Sequence, residues 1–313
     1  MKILIHAGIH RTGTSSLQRF LHQNREILAR HNITYPGTEI HHQKTAWALK
    51  RNPSDYKVIN QLLENHGDSK LCVLSGEDFC IHTDLSWLAE LASKHDVHAL
   101  FYLRRQDHWV MSWYNQHIKW PFDRAKSRMS KDEFLASIDD FYWLDFHTML
   151  LRWSTLIGKD KLSVAVIEPG QVEDVTSDFV QRAGLPSAEL MPIERRDNDS
   201  LPVHVLEVAR QLGLFELPPK ARIRVISALT RGLSDKACPE RTILSPEERT
   251  KILLKFEHSN RNVAKEFLSR DILFHEPPPA AGEPYFRFPE MSKEEFVAGW
   301  IKPVIQVLAK TRP

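Results

Sequence analysis

The 313-residue sequence predicts an α/β fold of three layers, in which a central parallel sheet is flanked by helices. Short apolar segments alternate with helical patterns along the first part of the chain, which is typical of strands joined by crossover helices. Polar residues follow three of these segments, as expected where parallel strands end beside a ligand. From about residue 186 the pattern is mostly helical, so we expect a helical C-terminal part.

Four segments predict buried strands, at residues 2–8, 71–75, 97–103 and 162–167. Helical patterns lie between and after them, at 14–30, 84–94, 107–119 and 142–157. Because parallel strands end at the same edge of a sheet, the polar residues after the strands are expected to meet in one crevice. These residues are His10, Arg11, Glu77, Arg104 and Arg105.

Composition excludes several classes of protein. The formal net charge is only +2, which does not indicate a nucleic-acid partner. The three cysteines form no CxxC pair, so neither a disulfide framework nor a zinc site is predicted. No apolar run approaches the ~20 residues of a membrane span, and the first residues do not form a signal-peptide pattern. We therefore expect a cytoplasmic protein.

The C-terminal part carries clear helix-start signals in SPEE (245–248) and SKEE (292–295). The proline-rich segment EPPPAAGEP, residues 276–284, predicts an exposed linker before a last helix. We expect one domain over residues 1–275, helical from about 186, with the linker and C-terminal helix of 276–313 packed on it.

The segment HAGIHRTGTSSLQRFL, residues 6–21, predicts a phosphate-binding loop between the first strand and a helix. Amide groups at a helix start, with the helix dipole behind them, bind anions, and Gly13 permits a close approach of the backbone. Thr14, Ser15 and Ser16 add hydroxyl donors, and Arg11 adds a planar cation. By itself the segment is also compatible with an ordinary strand–turn–helix corner.

Two further elements accompany the loop. Arg104 lies at the end of a strand, and Ser112 lies eight residues later, early in the next helix. Together, the two side chains could bind a second phosphate. Glu77 follows another strand and is a candidate general base. The ordinary interpretation of the first element is a strand–helix junction with solvated arginines. The ordinary interpretation of Glu77 is a surface acid or a helix-capping acid.

Taken together, these elements resemble the sulfotransferases that use 3′-phosphoadenosine-5′-phosphosulfate (PAPS), in particular the bacterial branch similar to carbohydrate sulfotransferases. HAGIHRTGTSSLQ, residues 6–18, resembles the family's first signature, a P-loop with a basic residue before its second glycine. Arg104, Asp107, Ser112 and Tyr114 resemble its second signature, and Ser75 with Glu77 a third element. RRDNDSLP, residues 195–202, resembles a polar stretch in the later half. The resemblance covers residues 1 to about 200.

The resemblance implies a P-loop fold and a reaction in which PAPS donates its sulfuryl group and leaves as 3′,5′-adenosine bisphosphate (PAP). The loop would hold the 5′-phosphosulfate, and Arg104 with Ser112 would hold the 3′-phosphate. The implied nucleotide-binding residues are Arg11, Thr12, Gly13, Thr14, Ser15, Ser16, Arg104 and Ser112. The acceptor would be a hydroxyl or an amine, on a small molecule or a glycan.

Glu77 is the expected base for the acceptor proton, and His10 is its main competitor because it neighbours Arg11 and titrates near neutral pH. Arg11 stands where the family has lysine; a guanidinium cannot donate a proton near neutrality, but it stabilises developing negative charge. No metal is required, because cations and amides hold the leaving group.

Two other functions stay open. An ATP-dependent small-molecule kinase shares the P-loop, but Thr14 occupies the position of the lysine that such a loop requires. A non-catalytic module that binds a nucleotide or a sulfated glycan would retain PAP binding without transfer. Neither the acceptor nor the oligomeric state is specified by the residues. His41 and His42 fall in a predicted loop beside the expected acceptor site.

Overall fold

A computed structural model describes residues 1–64, 66–121, 123–193 and 200–310. The strands in these ranges are β1 (Lys2–His6), β2 (Ile33–Thr34), β3 (Leu71–Ser75), β4 (Asp96–Leu103) and β5 (Leu162–Val166). The α-helices are α1 (Thr14–Gln23), α2 (Arg25–Arg30), α3 (Gln43–Arg51), α4 (Lys57–Leu63), α5 (Ser86–Lys94), α6 (Gln106–Lys119), α7 (Lys131–Ala136), α8 (Phe146–Ile157), α9 (Val175–Ala183), α10 (Val203–Gln211), α11 (Pro219–Gly232), α12 (Pro246–Leu268), α13 (Lys293–Phe296) and α14 (Lys302–Lys310). Of the polar stretch at 195–202, residues 195–199 lie outside the described ranges.

The strands form one parallel sheet in the order β2-β3-β1-β4-β5. In this register His6, the last residue of β1, is level with Ser75 on β3 and Leu100 on β4. The prediction of an α/β fold with a central parallel sheet flanked by helices is confirmed. β2 was not predicted, because two residues are too few to give an alternating pattern.

Helices cover both faces of the sheet. Tyr102 of β4 packs in a buried cluster with Leu17 and Phe20 of α1 and Phe179 of α9. Phe101, the preceding residue, points to the opposite face and meets Trp153 of α8 with ring centroids 5.1 Å apart. These two neighbouring residues of β4 therefore pack against apolar partners on opposite faces of the sheet, which favours the observed register of this strand.

The chain groups into two compact units. The first contains Met1–Arg105, Tyr142–Asp197 and Lys255–Pro277, and includes the sheet. The second contains Gln106–Phe141, Asn198–Leu254 and Pro278–Pro313, and its described elements are helical. The helix α12 contributes residues to both. The expectation of a single domain with a packed C-terminal helix stays a prediction.

Within the second unit, two polar contacts fix the helices. Asn115 on α6 donates from its amide to Leu201 O (2.8 Å) and accepts from Leu201 N (2.9 Å), just before α10. Asp107, at the start of α6, accepts from Arg249 Nε at 2.9 Å, and both side chains are buried. The helical character predicted after residue 186 is confirmed in the described ranges.

The predicted helix starts and linker also appear. Ser245 and Ser292 each form a reciprocal capping box, with Glu248 and Glu295 respectively. Residues 276–284 have no helix or strand and are mostly exposed. No helix in the described part of the chain is long and apolar enough to cross a membrane.

Candidate nucleotide-binding site

Three neighbouring strands of the first unit end together, and each is followed by a predicted site residue. β1 leads into the loop 7–13, β3 is followed by Glu77, and β4 is followed by Arg104. β1 lies between β3 and β4, so the order of strands reverses at its position. In open parallel sheets such a reversal leaves a crevice outside the carboxyl ends of the strands. The loop, Glu77 and Arg104 share this crevice.

The first half of the loop 7–13 continues the backbone pairing of β1 with β4. Ala7 N donates to Leu100 O (3.1 Å), Tyr102 N to Gly8 O (2.7 Å), and Ile9 N to Tyr102 O (3.0 Å). The chain then turns through Arg11 at φ 65° and Gly13 at φ 83° into α1. A positive φ is uncommon for a side-chain-bearing residue such as Arg11, and such residues cluster at functional sites.

The N-terminus of α1 lacks a capping side chain. Gly13 occupies the N-cap position, and no side chain accepts from the first turn of the helix. The first amides of a helix have no partner within it, and the helix dipole adds partial positive charge there. Thr14 is buried, while Ser15 and Ser16 are partly exposed in this first turn. The arrangement is chemically suited to an anion.

Thr12 has a different surrounding from its neighbours. Its side chain is 2% exposed, and its hydroxyl donates to the carbonyl of Ile9 at 2.6 Å. This hydrogen bond crosses the turn and holds Arg11 at its tip. Thr12 therefore contributes to the site by shaping the loop, through a contact that the sequence did not predict.

Two guanidinium groups converge on the tip of the loop. Arg104 Nη1 donates to the carbonyl oxygen of Arg11 at 2.9 Å. Burial, and then the charge of Arg104, lower the pKa of Arg11 from its ordinary value to about 10, while the charge of Glu77 raises it. Arg11 thus stays charged at neutral pH. Two cations held together favour an anion between or beside them.

Glu77 begins a short 3₁₀ turn, Glu77–Ile81, directly against the loop. A Cβ at Gly8 would lie 3.1 Å from Glu77 Cα, so only a glycine permits this approach at φ 98°. Gln18 on α1 donates from Nε2 to Glu77 Oε2 at 2.6 Å. The carboxylate is half-buried. The pKa of the nearby Tyr35 is raised by the burial of Tyr35 itself and then by the negative charge of Glu77. The predicted base and Arg11 therefore belong to the same crevice.

His10 lies deeper than Glu77. The residue is 7% exposed, with Nε2 3.1 Å from Asp78 Oδ1 and Nδ1 3.8 Å from Cys80 Sγ. Burial raises the pKa of Asp78, but hydrogen bonding and charge from His10, with smaller contributions from Gln43 and Trp47, bring it below the ordinary value. Both ring nitrogens of His10 thus face protein groups, and the ring ties the loop to the 3₁₀ turn.

His42 is enclosed, so it is not available to line an acceptor site. Its Nε2 donates to Pro36 O at 3.0 Å, and its Nδ1 accepts from Ser75 N at 2.9 Å. Burial lowers its pKa to about 4, which keeps the ring neutral. The histidine connects the start of α3 to the end of β3. Two adjacent histidines in a predicted loop give no sign of such a structural role in the sequence.

The residues of the second predicted anion site divide between the two units. Arg104 belongs to the first unit and contacts the loop, whereas Ser112 is buried on α6 in the second unit. Their pairing stays a prediction. The neighbouring Arg105 has a structural role, since its guanidinium binds Glu276 Oε1 (2.9 Å) and Pro277 O (2.9 Å), at the start of the linker.

Two residues of the crevice were not assigned from the sequence. Gln18 appears in the loop signature, and its position four residues after Thr14 places both on one face of α1, which is the signal that identifies it. Asp78, the residue after Glu77, was likewise not assigned to the site. Among the described residues, no group of three or more histidine, cysteine or acidic side chains is placed to hold a metal ion.

No protein-family model matches the chain. The chain is 27% identical over 169 residues to a protein of Archaeoglobus fulgidus that is described as uncharacterized. The alignment covers 53% of this chain and 44% of the archaeal protein, so the chain spans less than half of its relative's length. The similarity indicates a relative for half of the chain and carries no activity with it.

Proposed function

We propose that the chain is a PAPS-dependent sulfotransferase that transfers the sulfuryl group to a hydroxyl or amine of an acceptor, in the first instance a carbohydrate or glycoconjugate. The observation that carries the proposal is the convergence of Arg11 and Arg104 at the uncapped start of α1, opposite Glu77. A site with two cations, the amides at the start of α1 and one half-buried carboxylate suits a donor with several anionic groups and an acceptor that must lose a proton.

The residues of the crevice fit the donor on chemical grounds. The charge of Arg104 lowers the pKa of Arg11, as a neighbouring cation does, and an anion bound beside the two arginines relieves this repulsion. In the proposal, the loop acts as a P-loop, and the first amides of α1 with Thr14, Ser15 and Ser16 hold the 5′-phosphosulfate. Arg104 holds the 3′-phosphate, and the part of Ser112 in this site stays a prediction from the sequence. Thr12 and Gly13 set the shape of the loop.

The donor supplies an activated sulfuryl group. The reaction forms a bond between the acceptor oxygen or nitrogen and sulfur, breaks the bond between sulfur and the bridging phosphate oxygen, and releases the acceptor proton. Glu77 takes this proton through Oε1, since Gln18 engages Oε2. Arg11 and the amides of α1 stabilise the charge that grows on the leaving phosphate. In this scheme the crevice itself supplies the positive charge, and no metal is required.

His10 is less suited than Glu77 to act as the base. Its ring is nearly enclosed, and both nitrogens face Asp78 and Cys80. A group that takes a proton from an acceptor needs a hydrogen-bonding position that the acceptor is able to reach. We therefore assign His10 to the support of the loop and Glu77 to proton transfer.

Thermal stabilisation by nucleotides tests the proposal. A ligand at 100 times its dissociation constant adds ~2.7 kcal/mol to the free energy of unfolding, enough to raise Tm by several degrees. PAP is expected to raise Tm, and ADP, which lacks the 3′-phosphate, to raise it less. A shift that requires ATP with magnesium would instead support a kinase. PAP binding without transfer to any hydroxyl or amine acceptor would support a non-catalytic binding module.

A further inference from the structure

The second unit contains a cavity of about 380 Å³ that no step of the proposed transfer uses. Its size falls in the range of pockets that hold small organic molecules, about 300–1,000 Å³. The lining residues are Tyr114, Lys131, Val203, Leu206, Glu207, Ile243, Tyr285, Phe286, Arg287 and Phe288. All of them belong to the second unit.

The wall formed by residues 285–288 is held in place from several directions. Phe286 N donates to Thr242 O at 2.8 Å. Phe288 packs against Trp300, with ring centroids 4.7 Å apart. Just before this segment, Glu283 binds Arg249, whose guanidinium also binds the buried Asp107. The cavity wall is therefore anchored to α6, α12 and the C-terminal helices, and its shape is set before any ligand arrives.

The interior of the cavity is apolar and aromatic. Four of its lining residues are tyrosine or phenylalanine, and Val203, Leu206 and Ile243 add aliphatic surface. The hydroxyl of Tyr114 is already engaged, since it donates to Met129 O at 3.2 Å. A ligand body that fits this surface is a flat apolar or aromatic group, which gains from burial and from ring contacts.

The charged groups of the lining differ in how far they are neutralised. Lys131 is paired with Glu248 at 2.5 Å, and Glu207 with Arg210 at 2.5 Å. Arg287 is exposed and lies over the ring of Tyr285, 4.6 Å from its centroid. In the described part of the chain, no carboxylate forms an ion pair with Arg287. Its charge does act on Glu247, whose pKa is lowered by hydrogen bonding to Ser245 and then by the charge of Arg287. The cavity thus carries one cation available to a ligand at its edge.

We propose that this cavity binds an aromatic anion, whose ring body enters the apolar interior and whose carboxylate or sulfonate-like head contacts Arg287. The planar guanidinium matches a head group with two oxygens, and its stacking on Tyr285 orients it toward the rim. None of the lining residues is assigned a role in the proposed sulfuryl transfer, so the two sites depend on different side chains.

The probe is 8-anilinonaphthalene-1-sulfonate (ANS), titrated into the full-length chain and followed by its fluorescence. N-phenyl-1-naphthylamine, which has the same ring body without the sulfonate, serves as the neutral counterpart. Wild type is expected to bind both saturably. Arg287→Gln is expected to weaken ANS about fivefold, as for an exposed charge pair, and to leave the neutral probe unchanged. Arg241→Gln, an exposed arginine outside the lining, is the matched control and should change neither.

Ile243→Trp fills the cavity from a half-buried position and is expected to abolish binding of both probes, with the fold checked by circular dichroism. The proposal is overturned if Arg287→Gln binds ANS as wild type does, because the head-group contact is then absent. It is equally overturned if a folded Ile243→Trp retains ANS binding, since the probe then lies elsewhere. Neither outcome bears on PAP binding, so failure here is distinct from failure of the proposed transferase.

Discussion

At the scale of single residues, Glu77 combines a structural contact with the proposed chemistry. Gln18 engages Oε2, and the backbone of Gly8 lies against the same residue, so the carboxylate has a fixed direction. A fixed base is effective because the geometry of proton transfer is set before the acceptor arrives. The same contacts mean that a variant must preserve the shape of the side chain to report on the chemistry alone.

Replacing Glu77 with glutamine tests this role. The amide keeps the shape and still accepts from Gln18, but it cannot take a proton. We expect kcat for sulfuryl transfer to fall by about 10²–10⁴ while the Kd for PAP stays within about twofold of wild type. Glu39→Gln removes an exposed acid paired with Lys44 and serves as the control. An unchanged kcat in the Glu77 variant would remove this residue from the mechanism.

At the scale of structural elements, the loop between β1 and α1 depends on how closely it approaches its neighbours. Gly8 has φ 98°, and an added Cβ would lie 3.1 Å from Glu77 Cα. Gly170 has a similar φ of 79°, but an added Cβ there would meet nothing within 4 Å. The two positions therefore separate the effect of backbone conformation from the effect of close packing.

We expect Gly170→Ala to reduce the free energy of unfolding by about 1–2 kcal/mol, since alanine disfavours a positive φ. Gly8→Ala should lose a further ~1–3 kcal/mol through overpacking against Glu77. It should also lower transfer activity, because Glu77 is displaced. Urea unfolding of both variants measures the first effect and PAPS turnover the second. Equal stability losses at the two positions would show that the loop is not tightly packed against Glu77.

The sequence predicted the elements that rest on local patterns and missed those that rest on distant contacts. Three strands have apolar runs long enough to be recognised in the sequence. Their predicted bounds differ from the observed bounds of β3, β4 and β5 by at most one residue. The helix predicted at 14–30 is instead two helices that meet at Asn24. The amide of Asn24 bonds the carbonyls of Phe20 and Met191, and its oxygen accepts from Met191 N. Because Met191 is 167 residues away, no local pattern shows this break.

The candidate site was predictable to a similar extent. Arg11, Glu77 and Arg104 were identified because residues after parallel strands share one edge of the sheet. The burial of His10 and His42 was not, since a histidine has the same appearance in a sequence whether its nitrogens face solvent or protein groups. The close approach of Gly8 to Glu77 was not predicted either, because it depends on the packing of two loops 69 residues apart.

At the scale of the whole molecule, buried histidines predict how stability depends on pH. Burial lowers the pKa of His6 from 6.5 to about 3, of His42 to about 4 and of His82 to about 4. Between these values and 6.5 the unfolded chain binds protons that the folded chain does not. Stability is therefore greatest above about pH 6.5 and falls as the pH is lowered toward 4. The depressed pKa of Asp78 adds its own loss only below 3.8.

We expect the free energy of unfolding, measured with urea, to be lower at pH 5.0 than at pH 7.5. Each fully buried histidine contributes up to about 2 kcal/mol over this interval, because the unfolded side chain is protonated and the folded one is not. His42→Gln should reduce the difference, and His258→Gln, at an exposed position on α12, should not. A flat profile between these pH values would contradict the neutral, buried state of the histidines.

In the proposed function, Arg11 and Arg104 hold the two ends of a nucleotide that carries a 3′-phosphate. Calorimetric titration of PAP and ADP into wild type, Arg11→Gln and Arg104→Gln tests it most directly. We expect wild type to prefer PAP, Arg11→Gln to weaken both nucleotides by about tenfold or more, and Arg104→Gln to lose the preference for PAP over ADP. Equal affinity of wild type for PAP and ADP, or a preference that survives in Arg104→Gln, would contradict the assignment of this crevice to PAPS.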